Sequence, residues 1–269
     1  MKSEEVPMKK RIAAALLLLL CFSMLSCACK NKNNEDAAPA FNEDDITSEN
    51  VTVTEPTTIG EDSRILYLTF DDGPGAYTQH LLATLAKYNV KVTFFVTNFR
   101  PEWRFLLTRE AKEGHTVAVH SYTHEYSNIY SSTSAYWNDF NKMDDVVLAC
   151  TGHRTEVMRF PGGSSNTISS SYCSGIMTTL TRQMLDKGIS YIDWDVDSYD
   201  AGGASSSEEV VENLQRGVSD RKVSVILCHD VKSYTVKAME TFIPWALEEG
   251  YIFLPCTPDS DPARHSVNN

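Results

Sequence analysis

Two adjacent carboxylates, Asp71 and Asp72, close a short apolar run and precede Gly73-Pro74. Such a pair can divide two tasks. One carboxylate holds a metal ion while its neighbour takes a proton from water at that ion. Two histidines follow in His120-Ser-Tyr-Thr-His124. A spacing of four sets both imidazoles on one face of a helical turn. Asp72, His120 and His124 would supply one carboxylate and two imidazoles and leave a coordination position open. That is a catalytic rather than a structural zinc pattern, although cobalt or nickel would suit the same donors. Asp71 is then the base. Singly these signals are weak, because Asp-Asp-Gly-Pro is also a good turn and a lone His-x-x-x-His pair is usually a surface feature. His115 is a competing imidazole, but its place ahead of an apolar strand marks it as structural.

Three later segments carry complementary groups: Arg159-Phe-Pro-Gly-Gly163, Asp197-Ser-Tyr-Asp200 and Leu227-Cys-His229. Arg159 could orient Asp71 and keep it ionised through charge-assisted hydrogen bonds, or be a surface arginine before a turn. Gly162 and Gly163 can present backbone N–H groups to the oxyanion of a tetrahedral intermediate with no side chain in the way. His229 is a candidate general acid, tuned by Asp200 or Asp197. Taken alone it would read as a core histidine.

The elements that must position these groups alternate. Strand-like runs occur at Ile65 to Phe70, Val90 to Val96, Thr116 to Val119, Met158 to Phe160, Tyr191 to Trp194 and Val223 to Leu227. Helical patterns fall between and after them, at Gln79 to Tyr88, Pro101 to Glu113, Ser132 to Cys150, Ile176 to Lys187, Ser206 to Gln215 and through Ala238 to Leu247. Ser206 reads as a cap, with Glu208 and Glu209 in the favourable first turn. Such alternation predicts a parallel sheet, and about seven units in one domain suggest a closed or nearly closed barrel. The chemical groups then sit at C-terminal ends of successive strands, where barrel enzymes build their sites.

The ends carry other information. Lys9-Lys10-Arg11 and an apolar run to about Leu25 read as an export signal too short to span a membrane comfortably, which assigns residues 1–29 to a signal peptide. Leu25-Ser26-Cys27 resembles a lipoprotein processing site, so Cys27 is a candidate for lipid attachment. Residues 30–63 are polar and acidic and read as a disordered tether. Residues 64–269 form the catalytic domain. A net charge of −12 argues against nucleic-acid binding. Cys150, Cys173, Cys228 and Cys256 show no paired spacing, and Cys228 reads as a core residue.

Taken in order, the five segments from Thr69-Phe-Asp-Asp-Gly-Pro74 to Leu227-Cys-His229 resemble the polysaccharide deacetylases of carbohydrate esterase family four, over about Ile65 to Pro255. The resemblance implies an α/β fold, a distorted, incomplete (β/α) barrel, and metal-dependent removal of N- or O-acetyl groups from a polymer. It makes Asp71 the base, Asp72, His120 and His124 the metal ligands and His229 the acid. Arg159 then supports Asp71, Asp200 supports His229, and the Gly162 N–H faces the oxyanion. Pro161, Leu227 and Tyr199 are candidate substrate contacts. Two positions depart from the pattern. Many relatives carry tyrosine where this chain has Gly162, and many carry tryptophan where it has Ala201. The second change removes a wall of the acetyl pocket, which Tyr199 or Trp194 could replace.

The expectation is an exported, monomeric cell-surface enzyme whose partner is an acetylated polysaccharide. Membrane contact would come only through a lipid at Cys27. N-acetylglucosamine of peptidoglycan is the favoured substrate, because that polymer is the first a tethered exported enzyme meets. An O-acetyl esterase acting on xylan and an inactive carbohydrate-binding protein are the alternatives.

Overall fold

A computed structural model describes residues 59–260 and 263–269. The expectations for the signal peptide, for Cys27 and for most of the tether lie outside the described residues. Among these, no helix is long and apolar enough to cross a membrane.

Eight strands form one parallel sheet: β1 (Arg64–Asp71), β2 (Thr93–Thr97), β3 (Thr116–Ser121), β4 (Val157–Met158), β5 (Ser190–Tyr191), β6 (Val196–Asp197), β7 (Val223–His229) and β8 (Tyr251–Phe253). Seven of them run in the order β5-β4-β3-β2-β1-β7-β6, while β8 pairs with the start of β1. Helices connect and cover them: α1 (Thr78–Lys87), α2 (Phe105–Lys112), α3 (Tyr126–Ile129), α4 (Thr133–Thr151), α5 (Ile176–Asp186), α6 (Ser207–Val218) and α7 (Ser233–Glu248). Strand β1 is central because both its neighbours run beside it, β7 along Ile65 to Asp71 and β2 along Thr69 to Asp71. The barrel stays incomplete between β5 and β6, which share no ladder. Residues beyond β8 enter this seam. The Asp193 N–H donates to the Ala263 carbonyl at 2.8 Å, and the His265 N–H donates to Asp193 Oδ2 at 2.8 Å.

Side-chain alternation splits the interior in two. Leu66, Leu68 and Phe70 of β1 face the helices within the larger core, whereas Tyr67 belongs to a small inner cluster with Phe95, Ala118, Val157, Ile192, Val225 and Cys256. Each fully buried Leu or Phe contributes about 1.5–3 kcal/mol. The period of two then carries the inner face on to Asp71 in β1, His120 in β3, Arg159 after β4 and His229 in β7. These groups share one parity, and that parity brings them together at the C-terminal rim.

The helices follow their local signals. Ser206 caps α6 by accepting the Glu209 N–H, Ser132 caps α4 by accepting the Ala135 N–H, and α4 ends at Gly152 with φ +83°. Two expectations change. The run from Tyr191 to Trp194 is not one strand: β5 ends at Tyr191, the chain crosses the seam, and Asp197 belongs to β6, which pairs with β7 instead. Arg159 lies just past β4 rather than within it. The short strands β6 and β8 offer two and three residues, too few for a periodic signal. The four cysteines of the domain are free thiols, and Cys228 is buried in the core.

Candidate active site

Asp71 ends β1 and is buried, and Arg159 approaches it from the far side of the barrel interior. Arg159 is 0% exposed, which rules out a surface role. Its Nη1 donates to Asp71 Oδ1 at 2.9 Å and to Thr69 Oγ1 at 2.6 Å, its Nε to the Ile192 carbonyl and its Nη2 to the Asp193 carbonyl. The guanidinium also lies 4.4 Å from the Phe95 ring centre. A buried ion is tolerated when paired and bonded in this way, and loss of one partner typically costs about 3–5 kcal/mol. Burial pushes the Asp71 carboxyl above its ordinary range, against the opposing pull of Arg159 and His229. Pairing with Arg159 therefore orients Asp71 without overcoming its desolvation, and a carboxylate held that way is a stronger base.

Asp72 turns away from its neighbour through a backbone φ of +72°, rare for a residue with a side chain. Its Oδ1 is buried with no hydrogen-bond partner. It faces His124 Nε2 at 3.4 Å and His120 Nε2 at 3.6 Å. Asp230, buried behind the loop, accepts from Thr78 Oγ1, and a side chain at Gly73 would collide with its carboxylate. Burial, with the Asp72 charge adding to it, raises the Asp230 carboxyl to about 7.

His120 and His124 do not share a helical turn. His120 is in β3, and His124 lies beyond the strand in a reversal with φ +55°. Asp139 of α4 pins that reversal, accepting from Ser121 Oγ, the N–H groups of Tyr122 and Thr123, and Thr123 Oγ1, at 2.7–2.9 Å. The His124 N–H donates to Ser121 Oγ at 2.9 Å. His120 Nδ1 bonds the Arg159 carbonyl at 2.8 Å, so Nδ1 carries the proton and Nε2 presents its lone pair toward Asp72. Burial, then the neighbouring His124, lowers His120 to about 3, which keeps it neutral.

His229 ends β7 directly beside Asp71 in the ladder. Its Nδ1 bonds Asp200 Oδ1 at 2.7 Å and its N–H donates to Asp200 Oδ2 at 2.7 Å, with Thr235 Oγ1 donating to the same oxygen at 2.8 Å. Asp200, not Asp197, is thus the histidine's partner; Asp197 Oδ1 accepts the Tyr199 N–H instead. Burial works against charge on His229, but Asp200 outweighs it, with help from Asp71 and Asp72, and raises the imidazole to about 9. Burial also opposes charge on Asp200, yet the bonds from His229 and Thr235 hold its carboxyl below the ordinary range.

The Pro161-Gly162-Gly163 loop faces these groups. Tyr130 Oη donates to the Pro161 carbonyl at 2.7 Å, and buried Asp193 accepts the Ser164 N–H at 2.8 Å. Gly162 has φ +76°, and its N–H donates to no group among the described residues. Trp194 closes under Gly163, where an added Cβ would stand 3.0 Å from the indole. Tyr199 is half exposed with φ +59°, Ala201 is exposed, and Leu227 is buried in β7. The arrangement gathers a carboxylate raised by burial, an imidazole raised by its carboxylate partner, an unpaired backbone N–H and three atoms that could ligate a cation.

Those ligand atoms, from Asp72, His120 and His124, lie within 4.8 Å of one another. An unpartnered buried carboxylate oxygen and an oriented imidazole lone pair suit a divalent cation. A match to the polysaccharide deacetylase family model covers residues 59–174. A peptidoglycan-N-acetylglucosamine deacetylase of Bacillus cereus is 31% identical over 204 residues, covering 72% of this chain and 70% of that protein. The chain belongs to the polysaccharide deacetylase family. The catalytic domain of a peptidoglycan N-acetylglucosamine deacetylase from Eubacterium rectale matches at 49% identity and a TM-score of 0.77, covering 80% of this chain and 98% of that one. A polysaccharide deacetylase from Bacillus cereus matches at 28% identity and a TM-score of 0.63, covering 75% and 96%. The protein is accordingly a deacetylase of the hydrolase class. The family-model match ends before Asp200 and His229, which the geometry brings beside Asp71.

Sequence reasoning in this polysaccharide deacetylase did not find Asp139, Asp193, Thr235, Asp230 or Tyr126. Asp139 alone left a signal: it is a carboxylate on the face of α4 that otherwise buries Tyr136, Phe140 and Met143. Tyr126, the first residue of α3, lies with its ring centre 5.6 Å from that of His124.

Proposed function

We propose that this protein is an exported, metal-dependent N-deacetylase acting on N-acetylglucosamine of peptidoglycan. The observation that carries the reading is the placing of Asp71 and His229 side by side above Asp72, with His120 and His124 converging on the same carboxylate. The Bacillus cereus and Eubacterium rectale relatives named for peptidoglycan N-acetylglucosamine support the substrate. The pattern at residues 9–29 supports export.

Asp72, His120 and His124 are the residues that would hold the metal, for which zinc is favoured by its imidazole and carboxylate donors. A bound divalent ion would supply Lewis acidity toward the acetyl carbonyl and lower the pKa of water. Asp71, oriented by Arg159, takes a proton from the water that attacks the acetamide carbon. The free Gly162 N–H donates to the oxygen that becomes anionic as the carbon turns tetrahedral. When the carbon–nitrogen bond breaks, His229 passes a proton to the leaving nitrogen, and Asp200 stabilises the imidazolium until then. The products are acetate and a free glucosamine amine. Trp194 walls the site beneath the Pro161–Gly163 loop, and exposed Tyr199 is the candidate sugar contact in place of the pattern's tryptophan.

Acetate release from N-acetylglucosamine oligomers, peptidoglycan and acetylated xylan, with and without zinc, cobalt or nickel, tests the reading. Metal-stimulated release from the glucosamine polymers is expected. Release from xylan alone would replace the N-deacetylase with an O-acetyl esterase, and no release from any polymer by metal-loaded protein would point to a binding protein.

A further inference from the structure

One phenol at the site has no assigned role. Tyr126 follows His124 by two residues, and its ring sits between His124 and Tyr130, with centres 5.6 Å from each. Tyr130 Oη is fixed on the Pro161 carbonyl. These tilted and edge-to-face ring contacts brace the histidine reversal against the Pro161–Gly163 loop. Tyr126 Oη, by contrast, bonds nothing among the described residues.

The position of that hydroxyl is unusual. A Cβ built on Gly162 would stand 2.6 Å from Tyr126 Oη and 3.4 Å from Cζ. The tip of the phenol thus occupies the volume that any side chain at residue 162 would enter. The absence of a side chain at Gly162 and the presence of a phenol at Tyr126 are one packing solution. Two donors then lie together without partners, the Gly162 N–H and the Tyr126 O–H. Phenols titrate near pH 10. This one therefore keeps its proton at neutral pH and can donate, but cannot act as a base there. Two unpartnered donors close to each other suit a carbonyl oxygen as it gains charge.

We propose that Tyr126 is a catalytic residue, whose phenol donates a hydrogen bond to the acetyl carbonyl oxygen together with the Gly162 N–H as the carbon becomes tetrahedral. The assignment rests on the acetyl-transfer reading above and adds a donor to it. No bond to Tyr126 forms or breaks, and its proton stays on the phenol throughout.

The test compares full-length wild-type, Tyr126→Phe, Gly162→Ala and the double variant, each zinc-loaded. Tyr126→Phe keeps the ring contacts and removes only the donor. On N-acetylglucosamine oligomers its kcat should fall about 10²-fold, the scale for loss of one oxyanion donor, with KM nearly unchanged. Bound zinc, measured by elemental analysis, should stay at the wild-type level. Gly162→Ala should displace the phenol, so its cost in kcat should be several-fold larger with the phenol present than in the Tyr126→Phe background. The strain of an alanine at φ +76° is common to both backgrounds and cancels in that comparison. Acetate affinity, read by calorimetry, gives an arm independent of turnover: Tyr126→Phe should weaken it about tenfold, one hydrogen bond's worth. A wild-type protein that releases no acetate from glucosamine oligomers would overturn the proposed reaction, while the acetate arm would still decide the role of Tyr126. Equal kcat in wild type and Tyr126→Phe, or equal acetate affinity, overturns the role of the phenol.

Discussion

His115 immediately precedes a single strand, β3, and His120 lies near its end, with roughly 16 Å of extended chain between them. Both are buried. At the N-terminal rim, His115 Nδ1 accepts the Val92 N–H at 3.2 Å, so Nε2 must carry the proton and has no lone pair to offer. At the C-terminal rim, His120 Nδ1 faces the Arg159 carbonyl, so Nε2 is the bare nitrogen. The protonation pattern of each imidazole is set by whichever backbone group meets it. The surrounding carboxylates differ in the same sense. Five residues before His115, Glu110 is fully buried with neither oxygen bonded, and burial first, then Asp230 and Glu113, hold its carboxyl well above the ordinary range. Around His120, Asp71 is paired and Asp72 points its free oxygen at two imidazoles. A cluster of histidines and acids becomes a site only where lone pairs converge; at the other rim burial makes the same residue types neutral filling.

Exchanging the two histidines for apolar residues is the most severe way to break this comparison. His120→Ala should lose bound zinc and at least about 10³-fold in kcat, since it removes a ligand and the alignment of Asp72. His115→Leu should retain both, and elemental analysis beside acetate release separates the two outcomes. Asp71→Asn should come next, lowering kcat about 10²–10⁴-fold while zinc stays bound, because it removes the base and spares the ligands. Loss of zinc in that variant would reassign Asp71 as a ligand.

Asp200→Asn should cost about 10–100-fold, the usual scale for an orienting partner of a functional histidine. It should also move the alkaline limb of the pH–rate profile to lower pH, because the imidazolium loses the carboxylate that raises it. An unmoved limb would assign that limb to another group.

The smallest effect should come from His115 and concerns stability. Burial first, then Lys91 and Arg109, lower its pKa from 6.5 to about 4 in the folded protein. The unfolded chain therefore takes up a proton that the folded one refuses. The stability from this group is complete above pH 6.5 and is lost as the pH falls toward 4, in total about 3 kcal/mol. Unfolding free energies from urea titrations at pH 7 and pH 4.5 should draw together in His115→Gln by most of that amount, and an unchanged gap would place the acid sensitivity elsewhere.

Much of the fold was legible because it follows short-range rules. The long strands β1 and β7 and the amphipathic helices show their periods directly, and Ser206 and Ser132 mark helix starts. The seam between β5 and β6 was not legible, since two-residue strands carry no period and the chain crosses the barrel within Ile192 to Asp195. In the site, the residue types of Asp71, Asp72, His120, His124, Arg159 and His229 pointed to their chemistry. The helical turn expected to pair His120 with His124 does not form: a strand end and a pinned reversal replace it. Asp139, which pins that reversal, acts from another element.

The sequence by itself determined which chemical groups are available, their order, and the parity that turns Asp71, His120, Arg159 and His229 to the inner face. Those follow from a period of two and from local sterics. Only the tertiary structure decided that Arg159 is sealed against Asp71 across 88 residues of chain, that Asp200 rather than Asp197 holds His229, and that Tyr126 fills the space beside Gly162. Such choices depend on which distant backbone and side-chain atoms meet after the sheet has curled, and no local pattern encodes that meeting.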